Sequence, residues 1–167
     1  MDFNELKKAL AAEAAAAGIC REWYDYILQA DSQERLLTLF YKGLDFVIGN
    51  DFPSKPLRDA FDGRRQAFNI WDEGETFNSH NPRRLLAYAG ASGKVRVDDY
   101  AVCELWARGG SEIEITASGW GFATIDVAPG AEVTVKASDH ARVSIFNHGG
   151  KVQEQRAEEA TIRTINK

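Results

Sequence analysis

Residues 111–130 read SEIEITASGWGFATIDVAPG, and residues 131–150 follow at once as AEVTVKASDHARVSIFNHGG. Laid over one another they share Glu112/Glu132, Ala117/Ala137, Ser118/Ser138, Ile125/Ile145 and Gly130/Gly150. Several further positions stay within one chemical class, as in Ile113/Val133, Ile115/Val135 and Thr124/Ser144. A period of 20 residues constrains the fold more than any other feature of the chain. Equivalent residues at a fixed interval occupy equivalent places in stacked structural units.

Within each unit apolar residues alternate with polar ones, the period of strands with one buried face. Ile113, Ile115 and Ala117 mark one strand and Ala123, Ile125 and Val127 the next, answered one unit later by Val133, Val135, Ala137, Val143 and Ile145. The preceding GKVRVDDYAVCELWARGG fits the pattern with two residues fewer. RRLLAYAG, residues 83–90, supplies the tail of an earlier turn, and residues 151–167 a degraded last one through Val152, Ile162 and Ile165. The expected body is therefore a short parallel β-solenoid over 83–167, with about four rungs of about 20 residues. The alternative is an antiparallel β-sandwich with turns at SGWG, APGA and SDHA. Gly110, Gly130 and Gly150 mark one corner, where a positive φ is expected.

The first third reads as helix. Asp2 and Glu5 form a capping-box pattern ahead of FNELKKALAAEAAAA, and Gly18 is placed to end that helix. REWYDYILQA makes a second helix, and a third is expected from about 32 to 48, with Asp31 and Glu34 as its box. Ser54 and Pro56 open a short fourth one. The fold class is thus α+β, a small helical bundle over 1–62 capping the solenoid, with 63–82 as a connector that holds one short strand near Ala67–Trp71.

A net charge of −5 with no basic block disfavours nucleic acid as a partner. Two cysteines, Cys20 and Cys103, are too few for a disulfide framework. No signal peptide or run of about 20 apolar residues occurs, so the expectation is a cytoplasmic protein with no membrane partner.

Chemistry is sparse. No HExxH, nucleophile elbow or phosphate loop is present, and no cofactor or metal is expected. His80 reads as a polar loop residue. The 20-residue register instead places Tyr100, Trp120 and His140 in one corner column, with Phe122 beside it. A second outward column holds Trp106, Asp126 and Phe146, and a third Arg108, Ala128 and His148. The candidate binding surface is accordingly Tyr100, Trp106, Trp120, Phe122, His140, Phe146 and His148. Asn147, in an inward slot, is expected to bond to turn backbone, and Cys103 to be a small buried hydrophobe.

The stretches GICREWYDYI, GLDFVIGNDFPS and NPRRLLAYAG, followed by VRVDDYAVCELWARGG, resemble a group of proteins of gut Bacteroidetes and their prophages. The resemblance implies a bacterial or phage origin and a helical head joined to a repeat-strand body, and it carries no catalytic residue. The leading expectation for function is a non-catalytic protein-interaction module that binds a protein partner or itself as a homo-oligomer. One alternative is a carbohydrate-binding module or small carbohydrate-active enzyme using Trp106, Trp120, His140 and nearby aspartates. The other is a structural polymer-forming protein.

Overall fold

The computed structural model describes residues 1–61 and 63–167. It divides into two compact units, Met1–Phe68 and Asn69–Lys167. Among the described residues the first unit holds α1 (Phe3–Ala16), α2 (Arg21–Gln29), α3 (Gln33–Lys42), α4 (Leu44–Gly49), α5 (Lys55–Asp59) and α6 (Arg64–Ala67). The capping box of α1 is present. Asp2 accepts from the Glu5 N–H at 2.8 Å, and the Glu5 carboxylate accepts from the Asp2 N–H at 2.7 Å. Gly18, at φ 90°, closes the other end, where the Gly18 and Ile19 amides return to the carbonyls of Ala15 and Ala14. Leu6, Leu10 and Ala14 form the buried stripe between these ends.

The third helix differs from expectation. It is two helices, α3 and α4, parted at Gly43. A Cβ there would lie 3.2 Å from Cζ3 of Trp23, so the indole seats against bare backbone at the break. Ser32, not Asp31, caps α3, accepting from the Arg35 N–H at 3.2 Å, while the Asp31 carboxylate holds the Ser32 hydroxyl at 3.0 Å. No helix among the described residues is long and apolar enough to cross a membrane.

The second unit is a β-solenoid. Its strands are β1 (Ile70–Trp71), β2 (Thr76–His80), β3 (Arg84–Ala87), β4 (Ser92–Val97), β5 (Val102–Ala107), β6 (Glu112–Ala117), β7 (Phe122–Val127), β8 (Glu132–Ala137), β9 (Arg142–Asn147), β10 (Lys151–Arg156) and β11 (Thr161–Asn166). Odd-numbered strands make one sheet in the order β1-β3-β5-β7-β9-β11, and even-numbered strands the other, β10-β8-β6-β4-β2. Each pairing in both sheets is parallel. Ile125 stands between Leu105 and Ile145 in register, and Ile115 between Val95 and Val135. The antiparallel sandwich is therefore overturned, because no strand pair runs in opposite directions in either sheet.

The coil has about five turns rather than four. The added turn comes from β1 and β2, which lie with α6 in the stretch 63–82 expected to be a connector. Ser92 pairs with Glu112, so the rung beginning at Ala91 is a full unit and lacks no residues. The apparent shortfall arises at Gly93, which stands where the next rung has Ile113. A Cβ on Gly93 would meet the Phe77 ring at 2.5 Å, so Phe77 from the rung beneath fills the space of the missing side chain.

The interior is one continuous column of Leu, Ile, Val and Ala between the two sheets. Cys103 belongs to it, and burial, with the nearby Glu104 charge, pushes its thiol up to about 12. Only the thiolate is nucleophilic. A thiol-specific disulfide reagent at neutral pH is therefore expected to titrate one group in the native protein, the exposed Cys20, and a second only after denaturation. Rapid release of two equivalents without denaturant would contradict this burial.

The corners are hydrogen-bonded turns of two kinds. At Arg108–Ser111 and Ala128–Ala131 the third residue is Gly110 or Gly130, at φ 88° and 84°, with Pro129 ahead of the second, as a type II turn requires. In the next rung the positive φ falls on Gly149 instead of Gly150, because the register shortens there: Lys151 pairs with Glu132. Asn147 accommodates the shortened turn. Its side chain accepts from the Gly149 and Gly150 amides at 3.0 and 2.8 Å and donates to the Gly150 carbonyl at 3.1 Å, the backbone role expected of it. Ile165 aligns with the outward Phe146, so it faces away from the interior it was expected to extend.

Candidate functional site

The opposite corner carries the aromatic column. Its turns, Asp98–Ala101, Ser118–Gly121 and Ser138–Ala141, each close with a bond from the fourth amide to the first carbonyl. The second residue of each has positive φ: Asp99 at 52°, Gly119 at 59° and Asp139 at 56°. The turns bond to one another as well, Trp120 N–H to the Asp99 carbonyl at 2.8 Å and His140 N–H to the Gly119 carbonyl at 2.9 Å. Asp139 adds a side-chain acceptor for the Gly119 N–H at 2.8 Å. The corner is as firmly laddered as the sheets, and the third residue of each turn points its ring at the next.

Tyr100 and Trp120 stack with centroids 6.5 Å apart and planes 6° from parallel; Trp120 and His140 stack at 4.1 Å and 7°. Trp120 thus lies between two parallel rings, closer to His140 than to Tyr100. His140 continues the column through Nδ1, 2.8 Å from the Glu159 carboxylate. Next to the rings, on the other sheet, Val102 pairs in register with Phe122, and Phe122 with Arg142. Tyr100 is 79%, Val102 56%, Trp120 53% and Phe122 36% exposed, four of the six large apolar side chains that stand out as exposed among the described residues, the others being Met1 and Tyr26 in the helical unit. A contiguous exposed apolar group of this kind marks an interaction site more often than a scattered one.

The remaining predicted residues lie elsewhere. Trp106, Asp126 and Phe146 align at the far end of the same sheet, four residues from Val102, Phe122 and Arg142, roughly 13 Å along a strand. Trp106 and Phe146 are half-buried there. Asp126 lies between them in register and is engaged on both oxygens, with His148 Nε2 at 2.9 Å and Arg108 Nη1 at 4.0 Å. Lys167 Nζ lies 5.3 Å from the Phe146 ring centre. The seven candidates thus separate: Tyr100, Trp120, Phe122 and His140 form one surface, while Trp106 and Phe146 flank Asp126 at the far end of the sheet, where His148 and Arg108 clamp its carboxylate.

His80, expected to be a bystander, is clamped in the same way, with Nε2 2.8 Å from the Asp98 carboxylate. His80 and the Asn81 amide, both bonded to Asp98, hold its carboxyl below the usual range. Each of the three histidines therefore meets a carboxylate on a neighbouring rung. Their separations in sequence, 18, 19 and 22 residues, lie close to the repeat, and that near-coincidence is the signal that could have revealed them.

For acid–base cleavage of a glycosidic bond one carboxyl group must stay protonated near neutrality. Asp98 is shifted the opposite way, Asp126 is paired with two cationic or imidazole groups, and Asp139 is committed to the Gly119 amide. Among the described residues no group of three His, Cys, Asp or Glu side chains is arranged to hold a metal ion. Comparison with protein families, with curated proteins and with solved structures returns no match.

Proposed function

We propose that the chain is a non-catalytic interaction module whose β-solenoid presents the Tyr100–Val102–Trp120–Phe122 corner to another protein. One observation carries this reading: four large apolar side chains stay exposed side by side on outward positions of a hydrogen-bonded corner, where the next rung places the polar His140 and Arg142. Stacking returns about 0.5–1.5 kcal/mol for each ring pair, while Val102 and Phe122 beside the stack leave apolar surface in water that the interior column does not need. A sugar platform needs an open ring face, and Trp120 has a parallel ring on either side, His140 at 4.1 Å and Tyr100 at 6.5 Å, which leaves the end face of Tyr100 as the most open one.

The test compares the wild type with the double variant Trp120→Ser/Phe122→Ser. Both should melt within a few degrees of each other, because the replaced atoms lie mainly outside the core. Affinity capture from the native host should retain a discrete protein on the wild type that the variant loses. A glycan-array signal that disappears in the variant would replace this reading with the carbohydrate one. Identical protein capture by both forms would remove the corner from the function.

A further inference from the structure

From the corner's charge and its one open ring face, we infer that the segment it takes is basic: an arginine-bearing stretch of another protein, with an apolar side chain beside the arginine. The inference rests on the docking role of the corner and goes on to specify the chemistry of what docks.

Three observations carry it. First, the two central residues of the four stacked turns are Asp99-Tyr100, Gly119-Trp120, Asp139-His140 and Glu158-Glu159, which include four carboxylates and no lysine or arginine. Of the cations on the adjoining outward rows, Arg96 is 3.3 Å from Asp98 and Lys136 3.6 Å from Glu114, so each already faces a carboxylate of its own sheet; Arg142 follows Phe122 in register on the other side. The aromatic edge is therefore bordered along the turn side by carboxylates, of which Asp139 accepts from the Gly119 N–H and Glu159 meets His140 while Asp99 flanks Tyr100, and by Val102 and Phe122 along the other. The one arginine of this column is Arg83, in the corner of the rung beneath.

Second, the rung beneath Tyr100 has a shorter corner. His80 pairs with Arg96 and Arg84 with Glu104, so only Asn81, Pro82 and Arg83 bridge the two strands where the next rung uses residues 97–103. No turn residue stands in register under Tyr100, which leaves its lower ring face uncovered at the end of the stack and accounts for its 79% exposure. An aromatic face next to a carboxylate is a seat for a guanidinium, which stacks flat on the ring and donates sideways to the acid.

Third, a second copy of the chain is a poor occupant. The exposed patch is on the order of 500 Å², given the area that aromatic side chains present. A stable protein–protein interface buries about 800 Å² on each partner. Two copies meeting on this corner would also bring one acidic edge, with Asp99, Asp139, Glu158 and Glu159, up to another of the same sign, which like charges oppose.

The experiment titrates the full isotopically labelled chain with two synthetic peptides of equal length built from Leu and Gly with either Arg or Glu. It reads the Trp120 indole and the Gly119 and Gly121 amides by NMR. The Arg peptide should shift these signals at millimolar concentration and the Glu peptide should not. Tyr100→Leu, which keeps apolar bulk without a ring face, should weaken binding roughly two- to fivefold, the worth of one exposed cation–π contact. Asp99→Asn, which tolerates the positive φ, should weaken it by up to about fivefold, the worth of one exposed ion pair. Equal or stronger shifts from the Glu peptide would overturn the basic partner and leave the docking surface standing. No shift from either peptide would overturn it too. Binding of a hydrophobic dye to the wild type but not to Trp120→Ser/Phe122→Ser would then show whether the surface itself survives. Dimerisation through the corner in sedimentation velocity, abolished by the same double variant, would overturn the inference in favour of a second copy.

Discussion

Ile125→Ala should cost roughly 2–5 kcal/mol of the solenoid's stability, the range for emptying a fully buried aliphatic site. Ile125→Asp should cost at least as much, since the carboxylate would sit in the interior without a partner. The size follows from position. Ile125 is fully buried, on the fourth strand of a six-stranded parallel sheet, with Leu105 below it and Ile145 above. In a stacked coil each rung is stabilised mainly by its neighbours, so a lesion in the middle weakens two interfaces at once. Ile162 pairs with Val143 on the last rung and is only half-buried, so Ile162→Ala should cost much less. Urea denaturation of the two variants measures the contrast. A loss for Ile125→Ala no greater than that for Ile162→Ala would mean that the interior is not the cooperative column described.

The same column explains what could be read from the residues. The repeat at 111–150 holds its apolar alternation at every inward strand position except Asn147, because both of its rungs have neighbours above and below that demand the same side chains. Where a rung departs from the rule, the pattern fades although the strand remains. The short β2 buries only Phe77 deeply, so residues 63–82 show no period and hide a turn of the coil. Phe77 and Gly93 exchange volume across two rungs, an arrangement that alternation within one strand cannot show. The break at Gly43 was concealed for a similar reason, since the apolar face of α3 continues into α4 and only Trp23, twenty residues earlier, requires the glycine.

The corner was legible for the same reason as the core, through register. A fixed period puts Tyr100, Trp120 and His140 at one turn position, and the stack follows. Trp106, Phe146 and His148 were grouped with them because period alone does not say how far apart two columns lie on a sheet. Asp126 stands between the two rings, and its engagement by Arg108 and His148 depends on side-chain reach between rungs. Val102 shares a column with Phe122, yet the residue type hides its exposure, since valine on a strand reads first as core.

The last rung supplies the second large effect. By register Glu154 stands over Val135, Arg156 over Ala137 and Thr164 over Ile145, all inward positions that earlier rungs fill with apolar side chains. The Thr164 hydroxyl donates to the Glu154 carboxylate, so the two strands close a polar pair across the top of the hydrophobic column. A strand laid over this rung would bury Glu154 and Arg156, at several kcal/mol for each ion. Inward-pointing charge is one of the devices by which sheet edges avoid pairing with further chains. The triple variant Glu154→Val/Arg156→Ala/Thr164→Val replaces that rung with the apolar pattern of the rungs beneath it. It should turn a species whose size is independent of concentration into one that associates end to end, with a rise in mass by sedimentation velocity or light scattering across the micromolar range. Association in the wild type to the same extent would show that the polar rung is no barrier, and would favour the polymer-forming reading of the chain. A triple variant that folds and keeps the wild-type size would show that something other than buried charge closes this end.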